Sequence, residues 1–481
     1  MKKRVSKADI PLGGSIERRV FPPFLLVEYV NYQSIQREVR INARLAGPIV
    51  FAQVAQVAMG FTDTVMAGRL GPLDLGAIAI GVNLWILPYL FCMGLLMAVS
   101  SMTSHYFGAA RFAAIRDLME QVGRVVLVLS VLAVGSIMGM AEGLFLLRLD
   151  EGVTEVAAAY VKAVSFGLPA VIGYLALRFL SEGIGYTKPM MVIQIIGLLI
   201  NILANWVFMF GKLGVPAMGA EGAGWATALV MWITLFLLLG YIVRHKRYRF
   251  VWIARPEKRD WRKTREMLHV GSPIAVSLVA EVGMFAAIAL LMGTLGVTQV
   301  AAHQVALNVA AMAFMIPLGI SAATTVRVGH ALGEGRAWLV RFRGLVGIGF
   351  AAACMMLTAI ILFVFPRQIV SVYTQDAQVR ELAVQLLFMA AIFQLSDGIQ
   401  ISANGALRGM KDTFYPMVVT LIVYWLLGLP LSWYLGFVEE IGPRGLWMGL
   451  VAGLTLSAFW LVWRFLHLTR RLPAASAPAS D

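Results

Sequence analysis

The chain holds 481 residues, 59% of them apolar and only 14% charged, and its mean hydropathy is +0.79. A soluble domain carries about a quarter charged residues, so this composition excludes a soluble globular protein. Forty Lys and Arg against 26 Asp and Glu give a formal net charge of +14. In a soluble chain that excess would suggest nucleic acid; here a membrane surface accounts for it, and no nucleic-acid partner is expected.

The first 44 residues hold nine Lys and Arg. Their brief apolar run, Phe21 to Val27, is broken by Pro22-Pro23 and followed by Glu28 with no small-residue cleavage pattern, which reads as a cytoplasmic arm and not a signal peptide. Twelve predominantly apolar windows follow, each long enough to cross a hydrocarbon core of about 30 Å. They are 45–66, 77–103, 122–147, 156–177, 189–210, 222–243, 267–292, 300–325, 344–365, 382–405, 415–435 and 446–468. Stretches such as Val125 to Val134 are apolar on every side, so the spans read as helices; barrel strands would alternate apolar and polar positions. Cys92 and Cys354 fall in two distant spans and read as packing residues, with no disulfide framework.

Basic residues set the orientation. The arm, the connections after even-numbered spans with their flanking helix ends, and the tail at 469–481 carry 33 of them. The opposite side carries six: Arg69, Arg148, Lys212, Arg367, Arg380 and Arg444. Lys162 lies within span 4, where a long side chain can snorkel to the interface. This asymmetry predicts that both termini are cytoplasmic. The central connection, Arg244 to Glu266, has ten basic and three acidic residues. Its run Arg244-His245-Lys246-Arg247, with Arg255, Lys258 and Arg259, reads as an orientation determinant touching anionic lipid headgroups.

That connection also separates two six-span halves, 45–243 and 267–468, and the halves are repeats. A shift of 225 residues aligns Pro48 with Pro273, Ala55-Gln56-Val57 with Ala280-Glu281-Val282, Gly71 with Gly296, Asn83 with Asn308, Gly94 with Gly319, His105 with His330, and Gly108 with Gly333. A shift of 227 aligns Phe166 with Phe393 and Pro189-Met190 with Pro416-Met417. An even number of spans per copy relates the copies by an axis along the membrane normal. The expected fold is an all-α integral membrane protein, with twelve transmembrane helices in two pseudo-symmetric six-helix bundles around a central cleft.

Ionisable groups deep in a bilayer cost roughly 2.5 to 3.5 kcal/mol each on insertion scales, so those present are candidates for function. Three carboxylates stand out: Asp63 near the end of span 1, Glu281 in span 7 and Asp397 in the middle of span 10. A buried carboxylate can carry a proton, or it can keep its charge by coordinating a small hard cation. By the repeat, Gln56 faces Glu281 and Ala170 faces Asp397, so the paired acids belong to the second half alone. In span 5, Asn201 and Asn205 share one helical face and suit Asp63 together with Thr227 of span 6; such amides also serve as interhelical glue. Met284, Phe285 and Phe393 near the acids, with Gln56 and Gln394, are candidates for an adaptable pocket. The chain lacks a phosphate-binding Gly-x-x-x-x-Gly-Lys-Ser/Thr loop, a Gly-x-Ser-x-Gly elbow and a His-Glu-x-x-His helix, so an enzyme is not expected and an ion gradient must supply the energy. His105, His330 and the other histidines have no metal-ligand spacing.

At Pro48 to Arg69 (PIVFAQVAQVAMGFTDTVMAGR) the chain resembles the NorM-type branch of the multidrug and toxic compound extrusion (MATE) family. The likeness recurs at Pro273 to Leu291, at Asn201 to Trp206 (NILANW) and at Gln394 to Asp412 (QLSDGIQISANGALRGMKD). The resemblance implies a multidrug antiporter of a bacterial inner membrane. Two six-helix lobes would export organic, often cationic, drugs and dyes in exchange for Na⁺ or H⁺, with no cofactor and as a monomer. It makes Glu281 and Asp397 the cation acids of the second lobe, ligands of Na⁺ if sodium is the coupling ion. Asp63, Asn201, Asn205 and Thr227 then match the polar cluster of the first lobe. Phe393 stands where related sequences often have Tyr, which removes one ligand hydroxyl, and Glu281 favours the NorM-type over the DinF-type branch. The alternatives are a lipid-linked glycan flippase of the same superfamily and a major-facilitator-type antiporter; the loop His105-Tyr106-Phe107-Gly108 lacks the latter's acidic and basic motif.

Overall fold

A backbone crossing hydrocarbon must satisfy its own hydrogen bonds, and the apolar windows do so as helices. The computed structural model describes residues 32–146, 150–253 and 261–472, and among these no residue is in a strand. The helices of the first half are α1 (Tyr32–Gly68), α2 (Pro72–Gly108), α3 (Phe112–Gly143), α4 (Glu151–Ser165), α5 (Leu168–Gly183), α6 (Lys188–Phe210) and α7 (Gly219–Arg244). After the short α8 (Arg249–Ile253), the second half contains α9 (Trp261–Leu295), α10 (Val297–Gly333), α11 (Ala337–Val364), the short α12 (Pro366–Ser371), α13 (Ala377–Gly409), α14 (Phe414–Thr420), α15 (Leu429–Trp433) and α16 (Pro443–Arg471).

Among the described residues, eleven helical segments are individually long and apolar enough to cross a membrane. The twelfth crossing, read from sequence as one helix at 156–177, is the pair α4 and α5, bent by 45°. The break has a local cause: Pro169 sits in the first turn of α5, and Gly167 precedes it. The eleventh crossing is also irregular. Between α14 and α15, Leu421–Gly428 winds with wide i to i+5 turns, as does Tyr434–Val438 after α15, a geometry found mostly at functional positions.

The helices overrun the apolar windows. At 37 residues each, α1, α2 and α10 are about 55 Å long, well beyond a core of about 30 Å. Residues 32–44, read with the arm, are thus the first turns of α1. The central basic connection contains α8 and the start of α9. The rest of the arm, the tail from residue 473, Arg148, and the run holding Arg255, Lys258 and Arg259 lie outside the described residues.

The two halves form two lobes with separate cores. One is built from α2 to α7 around Leu96, Met102, Leu118 and Tyr160, the other from α10 to α16 around Leu387, Tyr424, Trp447 and Leu461. The first helix of each half begins against the other lobe: Met267, Val270 and Ala275 of α9 join the first core, while Ala46 of α1 packs on Ile320, Ala323 and Ala351.

The repeat seen in sequence is a real pseudo-two-fold axis. Gly94 lies so close to Ala275 that a Cβ would overlap its backbone, and at the repeat-related Gly319 a Cβ would overlap the Val50 side chain. Likewise Gly108 abuts the His330 carbonyl, and Gly333 the His105 carbonyl. Before α2 and α10, Gly71 and Gly296 turn the chain at φ +150° and +130°, where a side chain is strained.

The Gly108 and Gly333 contacts sit at the end of the bundle where α1 begins and α16 ends, called basal below; the opposite end, where Gly71 and Gly296 turn the chain, is apical. Hydrogen bonds and ion pairs joining the lobes cluster there. Arg327 holds Glu38 by two bonds of 2.6 Å, Lys263 reaches Asp117 at 2.8 Å, and the His330 ring meets the Gly183 carbonyl at 2.8 Å. Asn42 donates to Thr324 at 3.3 Å. The lobes are bolted at one end.

Candidate functional site

Asp63 of α1 is buried, and its Oδ1 accepts bonds from Asn201 Nδ2 at 3.1 Å and Asn205 Nδ2 at 2.5 Å. The i, i+4 spacing on α6 delivers both amides to one oxygen. Thr227 of α7 is within range of the same carboxylate, and its hydroxyl makes no hydrogen bond of its own. The structure therefore unites the four polar residues singled out from the first half. A groove of about 440 Å³ nearby, lined by Thr62, Val65, Leu199 and Trp206, uses the other face of α6 and excludes them.

The second lobe treats its acids differently. Asp397 of α13 is buried and lies within electrostatic range of Glu281 on α9. Among the described residues, neither accepts a hydrogen bond from a side chain or pairs with a cation. The same lobe has polar atoms buried without partners among the described residues: the Tyr424 hydroxyl, Ser457 Oγ, Ser432 Oγ, His303 Nε2 and both side-chain atoms of Gln394. Tyr424 interacts with both acids and lies beside Ser457. Its segment is docked next to Glu281, because Trp425 Nε1 donates to the Ala280 carbonyl at 3.1 Å.

The pocket candidates divide. Met284, Phe393 and Gln394 are buried in the core of the second lobe and line no open wall in this conformation. Helical periodicity turns them inward: Met284 packs toward Gly428, and Phe393 makes edge contacts with Phe285 and Trp447 at 6.1 and 6.0 Å. Phe285 and Gln56 are half-buried, and Gln56 Nε2 donates to the Tyr89 hydroxyl at 2.9 Å. Lys162 reaches Glu142 at 2.6 Å with 42% of its side chain exposed, as an interfacial lysine does.

Sequence reasoning missed a third group. Arg178 and Glu182 of α5 form a buried pair at 2.8 Å, Arg178 also donates to Gln53 at 2.9 Å, and Arg408 of α13 is buried toward the first lobe, with Nη1 3.8 Å from Met97 Sδ. Windows ending at 177 and 405 had left these charges among the connections, but α5 and α13 run on to Gly183 and Gly409. The helical spacing of Arg178 and Glu182 was the available signal.

At the connection after α7, Arg244, Lys246, Arg247 and Arg249 are exposed. Arg247 lies 4.7 Å over the Tyr186 ring. Tyr248 is buried and donates to Ser181 Oγ at 2.9 Å, and burial pushes its phenol up to about 12, so it remains a donor at physiological pH.

The family model described as MatE matches residues 48–207 and 273–434, one segment in each lobe. The chain belongs to the MatE family. It is 38% identical over 452 residues to the multidrug resistance protein MdtK of Edwardsiella ictaluri, covering 91% of this chain and 97% of that one. It is 40% identical over 436 residues to the probable multidrug resistance protein NorM of Shewanella oneidensis, with 89% and 94% covered. Among solved structures, a multidrug resistance MATE family transporter in an outward-facing conformation matches at a TM-score of 0.83 and 19% identity, over 90% of this chain and 97% of that one. The eukaryotic MATE transporter AtDTX14 matches at 0.80 and 20%, over 91% and 98%. The fold is thus the two-lobe MATE fold and the protein a transporter, not an enzyme. Membership sets aside the major-facilitator alternative.

Proposed function

We propose that this MATE protein exports organic compounds, many of them cationic, from the bacterial cytoplasm in exchange for Na⁺ or H⁺. The basal end would face the cytoplasm, as the basic residues require, and the lobes would swing by alternating access. The relatives' names support drugs as cargo. The observation that carries ion coupling is the pair of buried Asp397 and half-buried Glu281, which interact with each other and, among the described residues, have no cation and no side-chain donor to satisfy them.

Two like charges in such a site demand a proton or a small cation. Binding of that ion would lower affinity for the drug, and reciprocity makes the drug lower affinity for the ion. The bolted basal end corresponds to a form open to the outside, in which the ion enters and the drug leaves. The exposed arginines after α7, beside a groove of about 370 Å³ lined by Phe236, Leu237, Gly240, Tyr241, Arg244 and His245, suit anionic headgroups. The working unit is a monomer, each chain having its own pair of acids.

The test is ethidium transport in liposomes under an imposed Na⁺ or pH gradient, for the parent, Glu281→Gln and Asp397→Asn. Transport that follows one gradient and is lost in either variant is the expected result. Ion-driven transport that survives both changes overturns the assignment of the acids. No ion-driven drug movement in the parent overturns the antiport reading and directs the next assay to lipid-linked glycans.

A further inference from the structure

Below the two acids, the interior carries more positive charge than its partners neutralise. Arg408, only 5% exposed, donates Nε and Nη2 to Thr325 Oγ1 at 3.2 and 3.1 Å and Nη2 to Ser321 Oγ at 3.4 Å. Among the described residues it forms no direct ion pair with a carboxylate; the carboxylate that acts on it electrostatically is Glu182, which is bonded by Arg178 at 2.8 Å. This layer therefore contains two guanidinium groups and one carboxylate.

A second layer, nearer the basal surface, pairs two arginines with two carboxylates and so carries no excess. Glu38 takes both bonds from Arg327 and has Arg343 at 4.0 Å, while Glu334 at the rim reaches Arg343 only at 3.7 Å.

A buried guanidinium that shares its one counter-charge with a second arginine is costly, and an apolar residue of similar volume would serve packing as well or better. The lobe contact itself does not need the charge: Ser101 Oγ bonds the Arg408 main-chain carbonyl at 2.5 Å. Position supplies the reason for keeping it. Arg408 follows Asp397 on the same helix, about 16 Å further toward the basal end at 1.5 Å per residue. An ion that has reached the acids from the apical side and continues inward meets this net positive layer in a low-dielectric interior. Fixed arginines exclude cations and protons from pores in the same way.

We propose that Arg408, with the Arg178–Glu182 pair, is an electrostatic plug that stops the coupling cation from leaking into the cytoplasm while the lobes are bolted. The inference rests on the ion-coupled reading above. It assigns Arg408 a role in coupling stoichiometry and none in drug binding.

The test uses the purified full chain in liposomes without drug, following radioactive Na⁺ uptake and, with a trapped pH dye, proton uptake under an imposed potential. The variants are Arg408→Met, which removes the charge; Arg408→Lys, which keeps it; and Thr325→Asp, which neutralises the layer while leaving both arginines. Each is checked by thermal melting in detergent. The parent and Arg408→Lys are expected to be tight, and Arg408→Met and Thr325→Asp to leak at least ten times faster, with fewer drug molecules moved per ion. Folded Arg408→Met and Thr325→Asp as tight as an ion-driven parent overturn the plug alone. Arg408→Lys leaking like Arg408→Met overturns it in favour of packing. If Arg408→Met fails to fold, Thr325→Asp decides by the same criterion. A parent whose drug transport ignores both gradients overturns the coupling reading and the plug with it.

Discussion

The two lobes bury carboxylates under opposite conditions. In the first, Asp63 receives two amide donors from one face of α6. In the second, Asp397 and Glu281 share an interior with no donor directed at either. Charge-assisted hydrogen bonds stabilise a carboxylate by about 1.5 to 3 kcal/mol, so Asp63 is a satisfied ion within a rigid lobe. The second pair has no such donors among the described residues, and in the function proposed above a proton or small cation takes their place. A repeat began with the same helices on both sides of the axis, and divergence at a few positions left one copy polar and complete, the other polar and open. The lobes differ in whether donors meet the carboxylate, not only in whether it is buried.

The largest effect should come from the open pair. Glu281→Gln with Asp397→Asn is expected to cut ion-driven ethidium transport at least a hundredfold while the protein remains folded by thermal melting; full transport by the double variant breaks the contrast outright. Next is the basal bolt. Glu38→Gln leaves half-buried Arg327 without its counter-ion and buried Arg343 with only Glu334, a loss of roughly 3 kcal/mol by comparison with other broken buried pairs. It should shift the lobes toward the basally open form, read as faster cysteine labelling at Asn42→Cys in a cysteine-free background.

Asp63→Asn sharpens the contrast from the other side. It exchanges a charged acceptor for a neutral one facing two amide donors, so stability should drop by about 1.5 to 3 kcal/mol while transport remains ion-driven. Abolished transport with unchanged melting would move the ion site into the first lobe. Smallest are two tyrosines. Tyr248→Phe removes a made hydrogen bond to Ser181 and should cost about 1 kcal/mol. Tyr424→Phe removes a buried hydroxyl with no partner and should leave ion-free stability unchanged or slightly higher. Equal losses in the two would show that Tyr424 is hydrogen-bonded in the lobe.

Glu281, Asp397 and Asp63 were visible in sequence because carboxylates are rare in apolar windows, and Asn201 and Asn205 because helical spacing puts them together. Met284 and Phe393 were read toward a pocket and lie in a core, since proximity along a helix does not say which way the face turns. Arg178 and Arg408 were invisible for another reason. A hydropathy window closes where charge begins, so helices that carry charge inward past the window's edge look like loops.

The amino-acid sequence by itself determined the number of crossings, the repeat and its axis, the basic asymmetry and the identity of the buried acids, because hydrocarbon leaves a backbone little choice and tolerates few charges. Only the tertiary structure decided which acids have donors, where α4 breaks from α5, which end of the bundle is bolted and how Arg327 and Arg343 come to share Glu38. Those facts depend on side chains far apart in the chain meeting across helices, and no local pattern encodes the meeting.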